Sequence, residues 1–231
     1  MFDYERQATI MNMLHARQRV TTDEIAKALF ISEATARRDL KQLETAGLIR
    51  RTHGGAVLIS GPLCEIPLEL REAANSMAKQ RIAAKAVTMI RDGFTVLLDA
   101  SSTVSALIPL LGSFQGLTVI TNSPKAAVSL AAMHIKVLCT GGLLLDNSLA
   151  FVGRHAERLI ESINADIAFL SCRGISEDNG ATDSSLEEAE IRRAMLARAG
   201  KRVLMCDKSK FGKNYTYTIA QLEQFDSILT D

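Results

Sequence analysis

Apolar positions in the first sixty residues recur with the period of a helix. From Tyr4 to His15, Ile10, Met11 and Leu14 share one face, and Asp3 stands in the N-cap position. Thr21-Thr22-Asp23-Glu24 has the Thr-x-x-Glu spacing of a capping box, and Ile25, Ala26 and Leu29 then line one side of a short second helix. Ser32 is placed to cap a third, with Glu33 in its first turn and Ala36, Leu40 and Leu43 as its buried stripe. At about 100° per residue, Ala34, Arg38, Lys41 and Thr45 point away from that stripe, flanked by Arg37 and Gln42. Gly47 ends this helix. Leu48 to His53 and Ala56 to Ile59 then read as strands of a hairpin turned through Gly54-Gly55. Three short helices and a hairpin predict a winged helix-turn-helix over residues 1–59.

Ser60-Gly61-Pro62 and Pro67 break both periodicities and predict a linker over residues 60–68, with a second domain over 69–231. A helical stretch is expected from Glu69 to Arg91, closed by Gly93. After it, the apolar runs FTVLLD, LTVIT, IKVLCT, DIAFLS and RVLMCD alternate with helical patterns, which predicts a mostly parallel sheet covered on both faces.

Composition adds little to this. The 231 residues carry 27 Lys and Arg against 26 Asp and Glu, a formal net charge of +1, so bulk charge does not announce nucleic acid. Placement does: Arg37-Arg38 ride the exposed face of the third helix and Arg50-Arg51 the hairpin, the two elements that would meet DNA. Singly, each doublet is an ordinary solvated surface. Cys64, Cys139, Cys172 and Cys206 are too scattered for a zinc site or disulfide framework, and reduced thiols in a cytoplasmic protein are expected, with no metal or cofactor. His15, His134 and His155 read as surface or boundary residues, and no run has the form of a signal peptide or a membrane span.

The predicted strands close on polar or glycine-rich residues: Asp99 to Thr103, Thr121-Asn122, Thr140-Gly141-Gly142, Ser171 to Gly174, and Asp207 to Lys210. Ligands of open α/β sheets bind where such loops converge. Ser101, Ser102 and Thr103 precede a helix, where free N–H groups and hydroxyls favour phosphate, and Lys208 offers a charge beside them. The bland readings are an N-cap for the serines and turns or solvated surface for Asp99, Asn122, Gly141-Gly142 and Lys208. Ser184-Ser185-Leu186-Glu187-Glu188 reads as helix capping.

Ile31 to Leu40, Leu43-Glu44, Gly47 and Arg51 to Ala56 resemble the N-terminal signature of the DeoR family of bacterial repressors. The segments LLDASSTV, VITNSPKAA, CTGG, FVG, NADIAFLSCRGI, IRRAM and CDKSKFG extend the resemblance over nearly the whole chain. It implies a winged helix-turn-helix followed by an α/β sensor domain similar in fold to ribose-5-phosphate isomerases. The partners implied are double-stranded operator DNA and a phosphorylated sugar or sugar derivative, in a homodimer or homotetramer with no membrane association. DNA-binding candidates are Ser32, Ala34, Thr35, Arg37, Arg38, Lys41, Arg50, Arg51 and His53. Effector-binding candidates are Asp99, Ser101, Ser102, Thr103, Thr121, Asn122, Gly141, Gly142, Arg173 and Lys208. Ser101 stands where the family usually has Gly, which would narrow a phosphate loop, and Arg173 suits a more anionic effector. Members usually continue beyond Asp231, so an unfinished sheet edge is expected there. The rival reading is a sugar-phosphate isomerase or transferase, which would need Asp99, Asp183 or Asp207 free for proton transfer.

Overall fold

A computed structural model describes residues 3–59 and 66–231, so most of the expected linker lies outside the described residues, as does the side chain of His15. The chain divides into two compact units, 1–74 and 75–231.

The first unit contains α1 (Asp3–Arg17), β1 (Arg19–Thr21), α2 (Thr22–Leu29), α3 (Glu33–Thr45), β2 (Ile49–Thr52), β3 (Gly55–Leu58) and α4 (Leu68–Ala73). Its core joins Ile10, Met11 and Leu14 of α1 to Ile25, Ala36, Leu40, Leu43, Leu48, Ile49 and Ala56, all buried. Burying a large apolar side chain stabilises by about 1.5–3 kcal/mol, so this cluster holds the helices in place. Leu70 of α4 belongs to the same core, which puts residues 68–73 with this unit, whereas the sequence pattern assigns 69 onward to the second domain.

Two local readings are corrected. The wing is a three-stranded antiparallel sheet ordered β1-β3-β2, and its turn residues are His53-Gly54, because Thr52 pairs with Gly55. Gly54 supplies the left-handed φ of 86°, whereas a Cβ on Gly55 would stand 2.2 Å from the Val20 carbonyl oxygen of β1. The expected helix over 69–91 is two helices. Asn75, at φ 55°, separates α4 from α5 (Ser76–Val87), and Asn tolerates the left-handed region better than most side chains.

The second unit is built on β4 (Thr95–Leu98), β5 (Thr118–Thr121), β6 (Lys136–Cys139), β9 (Ala165–Leu170), β12 (Ala199–Met205) and β14 (Ser227–Leu229). These form one six-stranded sheet in the order β14-β12-β9-β4-β5-β6, with every pairing parallel. Both faces are covered. Val96, Leu98, Val119, Ile167, Phe169, Val203 and Met205 pack on the side of α5 and α7 (Pro124–Ala132). Leu97, Ile120, Ala168, Leu170 and Leu204 pack on the side of α8 (Arg154–Glu161) and α9 (Leu186–Arg198). Burial on both sides explains why these strands read as unbroken apolar runs. At the edge expected to be unfinished, β14 pairs with Val203–Met205 of β12.

Two short hairpin systems flank the sheet. One pairs β7 (Leu143–Leu145) with β8 (Ala150–Val152), and the other is the antiparallel sheet of β10 (Gly174–Ser176), β11 (Gly180–Asp183) and β13 (Tyr217–Ala220). The sheet grows outward in one direction through β5 and β6 and in the other through β9, β12 and β14. The order therefore reverses between β4 and β9, and a crevice at the carboxyl ends of those two strands is where such sheets hold ligands.

Candidate functional site

The first candidate surface is the outward face of α3. Ser32 caps the helix, its hydroxyl accepting from the Thr35 N–H at 3.2 Å, and Ala36, Asp39, Leu40 and Leu43 are buried. Ala34, Arg37, Arg38 and Lys41 are exposed on the opposite side and Thr35 is half-buried. Arg37 pairs with Glu33 one turn earlier, whereas no carboxylate pairs with Arg38 or Lys41 among the described residues.

Asp39 is the residue that pattern reading passes over. Fully buried, it accepts two hydrogen bonds from the Arg6 guanidinium of α1, at 2.8 and 3.0 Å, and Asp3 takes a third at 2.7 Å. The hydrogen bonds it donates to Asp39, and next to Asp3, hold Arg6 above its ordinary pKa against the cost of burial. Gln7 and Gln42 bond across the same helix pair, so α1 fixes the axial rotation of α3 and the direction in which its arginines point. The only sequence sign was a charged residue on an otherwise apolar stripe.

The wing is tied to the same helices. The Thr22 N–H and hydroxyl both donate to the Gly54 carbonyl, at 2.8 and 3.1 Å, and Glu44 of α3 accepts from the Arg51 N–H at 2.9 Å. Arg51 lies opposite Ala56 and its guanidinium stands 3.9 Å from Glu44. Arg50 lies opposite Val57 on the other face, and His53 is exposed at the tip. Alternation along β2 thus leaves Arg50 as the wing arginine with no carboxylate partner among the described residues.

The second candidate surface is the crevice between β4 and β9. Asp99, at the end of β4, is buried and accepts from the Ser101 N–H at 3.0 Å and, across the crevice, from the Ser171 N–H at 2.9 Å. Its partner in charge is Arg192 of α9, whose buried guanidinium also reaches Asp183 and Glu188: Nε to Asp99 at 2.8 Å, Nη1 to Asp183 at 2.8 Å, Nη2 to Glu188 at 2.9 Å. Burial alone would depress this guanidinium, but Asp183, Asp99 and Glu188 outweigh it and hold it well above its ordinary value. Arg173 lies 3.4 Å from the other oxygen of Asp183. One buried cation thereby joins the ends of β4, β11 and α9.

Around this centre the strand ends repeat one turn. Asp99 accepts from the N–H of Ser101, Thr121 from Ser123, Asp183 from Ser185 and Asp207 from Ser209, each two residues on. Ser101, Ser123 and Ser185 then cap the following helices. Ser101 has φ −80°, so a side chain stands there without strain, and the site does not need the glycine expected at that position. Several buried polar atoms at strand ends and in the β7–β8 turn nevertheless have no partner among the described residues: Thr103 Oγ1, Asn122 Oδ1, Thr140 Oγ1, Ser148 Oγ and Ser184 Oγ. Buried hydroxyls and amides left unmatched each cost about 1–3 kcal/mol, so these positions are suited to a polar ligand.

Residues 6–61 match the DeoR-like helix-turn-helix domain and residues 74–231 the DeoR C-terminal sensor domain. The chain belongs to the DeoR family. It is 38% identical over 228 residues to an uncharacterized HTH-type transcriptional regulator, YulB, of Bacillus subtilis, covering 98% of this chain and 88% of that one. It is 32% identical over 235 residues to the lactose phosphotransferase system repressor of Staphylococcus epidermidis, covering 100% and 93%. Ribose 5-phosphate isomerase A of Methanocaldococcus jannaschii aligns with 60% of this chain and 55% of its own at 18% identity, with a TM-score of 0.45. A DeoR-family chain is a DNA-binding transcriptional regulator and not an enzyme.

Within this DeoR-family sensor domain, the residues expected to meet an effector are distributed unevenly. Asp99, Ser101, Ser102, Thr103, Thr121 and Asn122 are buried at the strand ends. Gly141 and Gly142 have φ of 64° and 116°, and a Cβ on Gly142 would stand 2.5 Å from the Val152 carbonyl oxygen. Lys208 is exposed and its N–H donates to Asp231 at 3.0 Å. Lys210, two residues later, is the lysine at the crevice: its ammonium donates to the Ser171 hydroxyl at 3.1 Å and the Cys172 carbonyl at 2.6 Å. Arg192 and Lys210 are the charged groups that sequence reasoning missed there.

Proposed function

We propose that this DeoR-family regulator is a cytoplasmic repressor of carbohydrate-metabolism genes, which a phosphorylated sugar or sugar derivative releases from its operator. α3 reads the major groove through Ser32, Ala34, Thr35, Arg37, Arg38 and Lys41, while Arg50, Arg51 and His53 of the wing reach the backbone. Two copies present two such helices to half-sites about one helical turn, ~34 Å, apart. The name of the staphylococcal relative, a repressor of a sugar uptake system, supports the carbohydrate link.

The observation that carries the effector half is the set of unmatched buried polar atoms after β4, β5, β6 and β11, with Lys210 bonded at the end of β9 and Arg173 beside Asp183. Asp99 already occupies the Ser101 N–H, so an anion at the start of the helix after β4 has the Ser102 and Thr103 N–H groups and Lys210 to use. The same geometry disfavours proton-transfer chemistry. Asp99 and Asp183 are both committed to Arg192, and Asp207 accepts from the N–H and hydroxyl of Ser209.

Titrating a panel of sugar phosphates into the protein–operator complex tests the reading. One compound should weaken operator binding by about 1–3 kcal/mol, and operator DNA should weaken its binding by the same factor. Binding without release, or turnover of the sugar phosphate, would refute it.

A further inference from the structure

Phe30 is 96% exposed, although an aromatic ring gains most from burial. It is also the residue that ends α2, and it does so in the left-handed region at φ 54°, ψ 44°, its N–H donating to the Ala26 carbonyl. That backbone position favours Gly or Asn, and a bulky side chain there is strained. A phenyl ring thus sits at a strained position and is left almost wholly uncovered by the described residues. It lies two residues before Ser32, the cap of the DNA-reading helix, and Ile31 between them is half-buried.

In a helix-turn-helix, the first helix of the motif crosses the DNA backbone and the N-terminal end of the second meets base edges. Phe30 stands at the junction of the two. A phenyl ring has no hydrogen-bonding group, so of the features the major groove offers it can favour one, the C5 methyl of thymine. We infer that Phe30 is a specificity-determining residue of DNA recognition, packing against a thymine methyl where α3 enters the groove. Its strain and exposure in the free protein are then matched by burial in the complex. The surrounding charges fit this placement: Glu33 is neutralised by Arg37, and Arg38 and Lys41 follow on the outward face.

The test uses the full chain and a duplex that the wild-type protein selects from a random-sequence DNA pool. Each thymidine of that duplex is replaced in turn by deoxyuridine, which lacks only the methyl group. Affinities are measured for the wild-type protein, Phe30→Asn and Phe30→Gly. Replacement at one thymine of each half-site should weaken wild-type binding about fourfold, the effect of one buried methyl. Both variants should bind the unmodified duplex at least as weakly as the wild type binds the substituted one, and lose nothing further at those thymines. Their thermal midpoints should rise, showing that the lost affinity is not a folding defect. Unchanged affinity in Phe30→Asn overturns the inference, as does a loss that no thymine shares, or equal losses on deoxyuridine substitution in all three proteins.

Discussion

Replacing Arg192 by Met tests how far one guanidinium, shared by three carboxylates, stabilises the sensor unit. Its side chain is 6% exposed, and those of Asp99, Asp183 and Glu188 are 1%, 1% and 4% exposed. Met fills most of the volume but leaves three buried carboxylates without their shared partner. Removing one member of a buried ion pair costs about 3–5 kcal/mol, and with three acceptors abandoned the upper part of that range applies. Arg173 offsets part of it through Asp183 alone, 3.4 Å away. Against a domain stability of about 5–15 kcal/mol, a loss of ~4 kcal/mol lowers the folded-to-unfolded ratio roughly a thousandfold. Arg192→Lys keeps the charge but cannot span three carboxylates in a plane, so it should recover only part of the loss. Urea unfolding is the assay. The chain has no Trp and three Tyr, and with Tyr215 and Tyr217 both in the second unit, tyrosine fluorescence reports mainly on that unit. The pH profile adds a sign. The folded pKa of Arg192 is raised, so its contribution is fully present below the ordinary guanidinium range and is lost only as pH rises through the still higher folded value, giving no Arg192-linked slope between about pH 6 and 9. An Arg192→Met protein within ~1 kcal/mol of the wild type would refute the shared-cation argument.

On the DNA side, Arg38→Ala should weaken operator binding by about 1–3 kcal/mol with loss of sequence preference, whereas Arg50→Ala should weaken it uniformly and flatten its salt dependence; equilibrium binding at several salt concentrations separates the two. Arg37→Ala should cost less than Arg38→Ala, because Arg37 must first leave Glu33. In the sensor unit, the effector at a hundredfold excess over its dissociation constant should add about 2.7 kcal/mol of stability, read as a thermal shift. Lys210→Ala should shrink that shift and Lys208→Ala leave it intact; the reverse order would put the anion on the outer side of the turn. Hydrogen bonds from the Thr21 backbone and hydroxyl hold the Glu24 carboxyl below its ordinary value, so the capping box of α2 contributes above the unfolded pKa near 4.5 and weakens as pH falls through the folded one. Circular dichroism of Glu24→Gln, from pH 7 to pH 3, should show less acid sensitivity in the helical signal than the wild type.

What could be read from the sequence follows from how local each cause is. FTVLLD and RVLMCD announce strands because both faces of the sheet are covered, and Thr21 and Ser32 announce caps because the capping bond spans three residues. β7, β10 and β11 leave no pattern of their own, since Leu143–Leu145, Gly174–Ser176 and Gly180–Asp183 are too short to show alternation and exist only through their pairing. The break at Asn75 hides in a run of good helix formers. Lys208 and Lys210 differ by two positions on a 3-10 turn, about 240° apart, so the motif CDKSKFG alone does not say which lysine faces the crevice. Arg192 and Asp39 were missed for one reason: each is a charge on a packed helix face that binds a partner far off in the chain, Asp99 for the first and Arg6 for the second. The repeat Asp/Thr-x-Ser at Asp99, Thr121, Asp183 and Asp207 was legible, and would have marked four strand ends as one kind of turn.

Asn75 opens the sensor unit, and its amide donates to Asp207 Oδ1 at 3.2 Å and to the Ser209 hydroxyl at 3.4 Å. Asp207 closes β12, and Lys210 at the crevice follows three residues later. The first residue of the sensor unit, whose backbone sits in a sparsely populated well, is therefore anchored to the turn after β12. Asp207 Oδ1 and the Ser209 hydroxyl are the two groups its amide reaches. Like a rivet at the end of a strap, that side chain makes the start of α5 and the turn after β12 hold or loosen together.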